Sequence, residues 1–374
     1  MGIEANNIIE VLKTIVHPSA GKDIYSLGLV ENLVVKENSV SFSLKFSTVN
    51  DPLKSSLKRA CEIAIREKFG NDVNIDINII TAIKPVTPKK EQAEILPGVK
   101  NIVAIASGKG GVGKSTVATN LAIAFGNAGA KVGLIDADIF GPSIPKMFGV
   151  EYEKPTVQKI SGKDMLIPVE SYGVKILSIG FFIDPEDATV WRGPMASNAL
   201  KQMLGDTDWG ELDYLFVDLP PGTSDIHLTL VQTVPVTGSV IISTPQDVAL
   251  ADAIKGIKMF RTENIDVPVL GLIENMSWFT PEELPDNKYF IFGKGGCAEL
   301  SKKLSIPLIG QIPIVQSIRE GGDDGTPSVT RKDKVSETFK NIAEALRIEI
   351  LKRNTQQAPT KKVEIKRKSF SDFK

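Results

Sequence analysis

Residues 108–116 read GKGGVGKST, set between the apolar run IVAIAS (102–107) and the segment VATNLAIAFGNAG (117–129). The first flank has the β-rich character of a short buried strand, and the second has apolar residues at helical spacing that stop at Gly129. A glycine-rich turn between a strand and a helix aims several backbone N–H groups, and the helix N-terminus, at one anion. Polyphosphate fits that arrangement. Gly108, Gly110, Gly111 and Gly113 let the chain wrap around it, with Val112 between the last two. Lys114 is placed to reach β- and γ-phosphates, and Ser115 to offer its hydroxyl to Mg²⁺. The whole segment through Thr116 is therefore read as a nucleoside triphosphate site, with a second lysine, Lys109, near its start.

Downstream, strands are predicted near 102–107, 131–136, 174–179, 213–218, 239–243, 268–273 and 307–311, with helical patterns between most of them. Such alternation predicts an α/β fold: a mostly parallel sheet with helices on both faces. A last helix near 334–353 carries Val335, Phe339, Ile342, Leu346 and Ile350 on one stripe, which suits docking on a sheet. Upstream, a helical pattern (4–16), two strands (30–35 and 40–46), a second helix (52–69) and a third strand (73–80) predict a small α+β domain over 1–82. The proline-bearing stretch 83–98 reads as a linker, 99–354 as the nucleotide domain, and 355–374 as a basic, disordered tail.

Composition narrows the function classes. The 374 residues have a net charge of −1, which gives no general argument for nucleic acid. No apolar run approaches the roughly 20 residues that span a bilayer, and the N-terminus lacks a signal-peptide pattern, so no membrane role and a cytoplasmic location are expected. Two cysteines, Cys61 and Cys297, and two histidines, His17 and His227, do not build a disulfide framework or a conventional zinc site within one chain.

Carboxylates are predicted at the carboxyl ends of strands, where a parallel sheet delivers them to the phosphates. The strand VGLID ends in Asp136 and continues ADIFGPS, placing Asp138 to orient an attacking water. The strand YLFVD ends in Asp218 and enters LPPGTSD, so that Asp218 holds Mg²⁺ and Gly222 is free to sense a γ-phosphate. Asp136 reads equally well as a residue that only ends its strand. His227 is assigned no chemistry, and Arg192 reads equally as a phosphate or partner contact and as a structural ion pair.

GKGGVGKST with Lys109, DADIFGPS and DLPPGTSD together resemble the deviant phosphate-loop ATPases that include MinD, ParA and the nitrogenase iron protein. WRGPMASNALKQML (191–204), STPQDVALADA (243–253) and GLIENMSWF (271–279) are similar to signatures of the Mrp/ApbC branch, the ATP-dependent iron–sulfur cluster carriers. That resemblance spans 98 to about 350, and IYSLGLVENLVV (24–35) resembles the iron–sulfur assembly domain often fused in front. The resemblance implies ATP and Mg²⁺, slow switch-like hydrolysis, and a homodimer in which Lys109 reaches the partner's phosphates. It further implies adenine recognition by Asn275, a base-enclosing loop around Pro313, and exchange of clusters with scaffold and recipient apoproteins.

The sequence departs from the family pattern at its thiols. The Cys-x-x-Cys pair expected after ENMS is replaced by TPEELPDNKY (280–289), and FSTVNDPLK (46–54) stands where the fused domain usually has a reactive cysteine. Whether a cluster is bound is therefore left open. Cys297, at a glycine-rich turn opening a helix whose dipole would acidify a thiol, is the candidate ligand, against the reading in which it is a small helix-start residue that simply packs; Cys61 reads as a packing residue. Two other readings stand beside the carrier: a nucleotide-gated scaffold that binds no cluster, and a MinD/ParA-like positioning ATPase that uses the basic tail.

Overall fold

In a computed structural model of the chain, residues 3–18, 21–36, 38–46, 53–81, 95–183, 192–281, 283–284 and 286–363 are described. They divide into two compact units, Met1–Gln92 and Ala93–Lys374. Most of the stretch read as a linker, and residues 47–52 with Asn50 and Asp51, lie outside the described residues. Ile95 and Leu96, expected in the linker, pack against the core of the second unit.

The first unit contains α1 (Ala5–Leu12), β1 (Val30–Lys36), β2 (Ser39–Phe46), α2 (Lys54–Phe69) and β3 (Asn74–Thr81). Strand β2 is central, antiparallel to β1 and parallel to β3. Its inward residues Val40, Phe42, Leu44 and Phe46 meet Ile8 and Leu12 of α1 and Leu57, Cys61 and Ile65 of α2. Cys61 is fully buried there, and burial pushes its thiol up to about 12.

The second unit runs β4 (Val99–Ser107), α3 (Lys114–Asn127), β5 (Val132–Asp136), α4 (Ile144–Met147), β6 (Thr156–Ile160), β7 (Lys163–Ile167), β8 (Val169–Ser171) and β9 (Val174–Ser178). It continues through α5 (Gly193–Gly205), β10 (Leu212–Asp218), α6 (Asp225–Thr233), β11 (Gly238–Ser243), α7 (Asp247–Phe260), β12 (Val269–Glu274), α8 (Gly296–Leu304), β13 (Leu308–Gln311), α9 (Gln316–Asp323) and α10 (Lys334–Gln356). One sheet has the order β13-β12-β11-β4-β10-β5-β9-β8, and only the edge pair β8–β9 is antiparallel. Alternate residues of a strand point to opposite faces. Accordingly Val103 and Ile105 of β4 enter one core, with α3 and α10, while Ile102, Ala104 and Ala106 enter the other, with α5 to α8.

The hairpin β6–β7 was not expected. Strand β6 is almost wholly exposed and β7 only partly buried, with Leu166 against the core, although Ser161-Gly162 between them, both at positive φ, is suitable turn chemistry. No helix among the described residues is long and apolar enough to cross a membrane.

The chain past residue 354 is not all tail. Helix α10 continues to Gln356, and residues up to 363 stay ordered against the unit. Arg353, buried, donates from Nη2 to the Ala358 carbonyl (2.8 Å), and the Val363 N–H donates to the Val231 carbonyl of α6 (2.9 Å). The residue four places after Val231 is Pro235, which has no N–H, so this carbonyl needs an outside donor. Residues 364–374 lie outside the described residues. Val363→Pro removes the donor and is expected to lower the melting temperature by roughly 2–4 °C, the scale of one net hydrogen bond in a large domain. An unchanged melting curve would show that the segment does not brace α6.

Candidate active site

The register of three parallel strands assembles the site. Asp218 at the end of β10 lies opposite Ile105 of β4 and opposite Asp136 at the end of β5. The loop that leaves β4 two residues after Ile105 therefore passes directly over two carboxylates. Lys114, the first residue of α3, is buried among them with 6 % of its side chain exposed. Its Nζ is 2.8 Å from Asp218 Oδ1 and 3.4 Å from Asp138 Oδ2, and the Ser115 hydroxyl donates to Asp218 Oδ2 at 2.5 Å. Lys114, Ser115, Asp138 and Asp218 thus meet in one cluster.

Burial alone would discharge Lys114, but the carboxylates of Asp218, then Asp138 and Asp136, outweigh it and raise its pKa, so the ammonium keeps its proton. Burial raises Asp138 against the opposing pull of Lys114. Asp136 is pushed up to about 7, by burial first and by the Asp218 carboxylate second. It does not touch the lysine. Its oxygens accept from Ser178 Oγ (2.9 Å) and from the Asp138 and Ile144 N–H groups (both 3.2 Å), so it shapes the loop that carries Asp138.

The glycines of the loop answer specific crowding. A Cβ on Gly108 would lie 2.1 Å from the Asp252 backbone of α7. Gly113, at φ 81°, is the N-cap of α3, and a Cβ there would lie 2.3 Å from Asn275 Nδ2. Asn275 uses that nitrogen to donate to the Val112 carbonyl at 2.8 Å, which ties the end of β12 to the phosphate loop. Beside Gly113, Thr116 and Asn275 opens a cavity of about 480 Å³, walled by Met147, Met276, Phe292, Pro313, Ile314 and Arg319 among others. A largely apolar cleft of this size next to a phosphate loop suits a nucleoside. Lys109 is exposed and stands apart from the cluster, and among the described residues it forms no ion pair.

Two expectations are corrected. The Gly222 N–H is not free: it donates to the Ser107 carbonyl at 2.8 Å. Cys297 is not acidified by the helix start. It is 1 % exposed, and burial, followed by the Glu274 carboxylate, pushes its thiol up to about 12. Glu274 already receives the Cys297 N–H (2.9 Å) and Gln311 Nε2 (2.7 Å), so it caps α8 and encloses the sulfur. Among the described residues no group of three or more His, Cys, Asp or Glu side chains is arranged to hold a metal. For Mg²⁺ beside a triphosphate, the facing oxygens of Ser115 and Asp218 are hard donors of the right kind. Trp191 lies outside the described residues; Arg192 is the exposed N-cap of α5.

One residue was passed over. His227 is buried on α6, and its Nδ1 accepts from the N–H of Ser224, the N-cap, at 3.2 Å. The spacing Ser-x-x-His hides this role because the reciprocal capping pattern ordinarily has Glu or Gln in the last position. Burial pulls the imidazole down to about 4. Because this folded value lies below that of an unfolded histidine, the unfolded chain takes up the proton first. The contribution of His227 to stability is complete above about pH 6.5 and is lost as pH falls toward 4. Denaturant unfolding between pH 7 and 4 should therefore show wild type losing more stability than His227→Gln; parallel losses would contradict the buried neutral ring.

Comparison with known proteins follows the same lines. Residues 98–347 match the family described as NUBPL iron-transfer P-loop NTPase, and residues 5–88 match the family described as iron-sulfur cluster assembly protein. The iron-sulfur cluster carrier protein of Synechocystis is 44 % identical over 86 % of this chain and 90 % of its own length. That of Escherichia coli K12 is 45 % identical over 84 % of this chain and 83 % of its own. A nucleotide-binding protein of Archaeoglobus fulgidus, solved with ADP, is 38 % identical and superposes with a TM-score of 0.55 over 64 % of this chain and 93 % of its own.

Proposed function

This chain belongs to the NUBPL iron-transfer P-loop NTPase family, and from that premise we propose that it is a homodimeric, cytoplasmic ATPase that passes iron–sulfur clusters to recipient apoproteins. The observation that carries the reading is the buried Lys114 cluster on a phosphate loop whose Gly113 and Thr116 line a nucleoside-sized cavity. The ADP-bound Archaeoglobus protein and the relatives named as cluster carriers support it.

ATP enters with its base between Asn275 and the Pro313 loop and its phosphates over Gly108–Thr116. Lys114 exchanges Asp218 for the β- and γ-phosphate oxygens, a trade of one anion for a more highly charged one. Mg²⁺, held by Ser115 and Asp218, supplies positive charge beside those oxygens when bound. Asp138, 3.4 Å from Lys114, orients the water for in-line attack, and Lys109 of each protomer reaches the phosphates of the other. The Gly222 N–H donates to the Ser107 carbonyl, and taking up the γ-phosphate changes that partner, which couples nucleotide to the turn before α6. Turnover is slow, since the output is a change of conformation and of dimer state.

The cluster is cargo, and the described residues offer it no exposed thiol. The burial of both cysteines supports a second reading, in which the protein is a nucleotide-gated scaffold and its partners hold the cluster. In calorimetric titration Lys114→Ala is expected to lose ATP binding. Lys109→Ala should keep it within about threefold while hydrolysis falls about 10²-fold or more and nucleotide-linked dimerisation is lost. Wild-type hydrolysis in both variants would sink the mechanism. Anaerobic reconstitution with iron and sulfide separates the two readings. One cluster per dimer, lost in Cys297→Ser, is the carrier result and requires α8 to open; no cluster beside intact ATP hydrolysis is the scaffold result.

A further inference from the structure

We propose that His227 is a positioning residue for ATP hydrolysis, holding Ser224 and through it the Leu219–Ser224 turn against the phosphate loop. The proposal rests on the hydrolysis reading above and deepens it.

The turn connects the magnesium-side carboxylate to α6, and its two ends are held differently. At the near end, the Leu219 N–H donates to the Ile105 carbonyl (3.0 Å), and the Asp218 carbonyl accepts from the Ala137 N–H (2.8 Å), so the strands fix it. In the middle, Gly222 bonds to Ser107. At the far end the His227 N–H returns to the Ser224 carbonyl (3.1 Å) and hydroxyl, while the Ser224 N–H is held by His227 Nδ1, a ring nitrogen that also lies 3.2 Å from Ser224 Oγ. Without the ring acceptor, the Ser224 N–H loses its partner, and the end of the turn is held to α6 only through the Ser224 carbonyl and hydroxyl. With it, any displacement of Gly222 is passed to the helix as a whole.

Packing does not account for the ring. Accepting at Nδ1 puts the proton on Nε2, which is buried and without a hydrogen-bond partner among the described residues. A leucine would occupy the space beside Phe260, whose ring centroid is 6.3 Å away, without burying an unpaired N–H. What leucine lacks is an acceptor for Ser224. A glutamate would supply one, but as a further buried carboxylate close to a site that already holds Asp136, Asp138 and Asp218 around a single lysine. Neutral histidine supplies the acceptor without the charge, and its low basicity keeps the Nδ1 lone pair available near neutral pH.

Steady-state ATPase assays on the full chain test this with His227→Leu and His227→Gln, because a glutamine at this helix position returns its Oε1 to the N-cap N–H. For leucine the expected result is a fall in kcat of about tenfold or more, with KM for ATP within about threefold; for glutamine, kcat within about threefold of wild type. A leucine variant with wild-type kcat, or a folded glutamine variant as slow as leucine, overturns the proposal. Amide exchange on nucleotide-free protein is read in parallel. Protection at Gly222 and Ser224 should be lost in the leucine variant and retained with glutamine, and equal protection in both overturns the proposal. If wild type shows no hydrolysis, the hydrolysis reading fails and the exchange data alone decide the positioning role.

Discussion

A lysine ammonium buried between two aspartates, Lys114 on Asp218 and Asp138, is the interaction on which the rest of the structure depends. Such a charge is tolerable in a protein interior only when it is closely paired. The pairing is supplied by the sheet. Parallel register places Asp218 beside Asp136 and under the loop from β4, and Asp136 in turn shapes the segment that carries Asp138. The cluster therefore gathers three aspartates around one lysine. Its reserve of negative charge is what an incoming triphosphate must displace, and what makes a divalent cation a natural companion of that triphosphate.

The second half of the site is organised by the end of β12. Glu274 lies between Ser243 and Gln311 on neighbouring strands, caps α8 and seals Cys297, while the adjacent Asn275 reaches across to Val112. The same strand end thus supports the phosphate loop and buries the sulfur that a cluster would require. The loop that replaces the family's paired cysteines has carboxylates and aromatics instead, with Lys288 stacked 3.9 Å from the Trp278 ring centroid. Cluster transfer by this protein accordingly requires either an opening of α8 or a partner that keeps the cluster in its own ligands.

Much of this was legible in the sequence because strands buried on both faces read as short apolar runs ending in a carboxylate, as YLFVD and VGLID do, and because GKGGVGKST admits few uses. Asp218, Asp138, Ser115 and Lys114 could be brought together from the phosphate-loop motif and the carboxyl ends of parallel strands. What escaped reading depends on contacts distant in sequence. Whether Cys297 is a helix-start thiolate or a sealed thiol turns on Glu274, twenty-three positions earlier. The status of Gly222 turns on the carbonyl of Ser107, and the order of residues 357–363 on a proline two residues past the end of α6 that leaves Val231 without a donor from its own helix. The β6–β7 hairpin escaped for the opposite reason: it buries too little to leave a periodic pattern.

The most direct measurement of the central claim is equilibrium binding of ATP, with and without Mg²⁺, to wild type and to Asp218→Asn. The account predicts saturable binding by wild type that Mg²⁺ strengthens. For Asp218→Asn it predicts metal-free binding at least as tight as wild type, since Lys114 is released from its partner, and little further gain from Mg²⁺. Absence of ATP binding by wild type, or the same dependence on Mg²⁺ in both proteins, would contradict it.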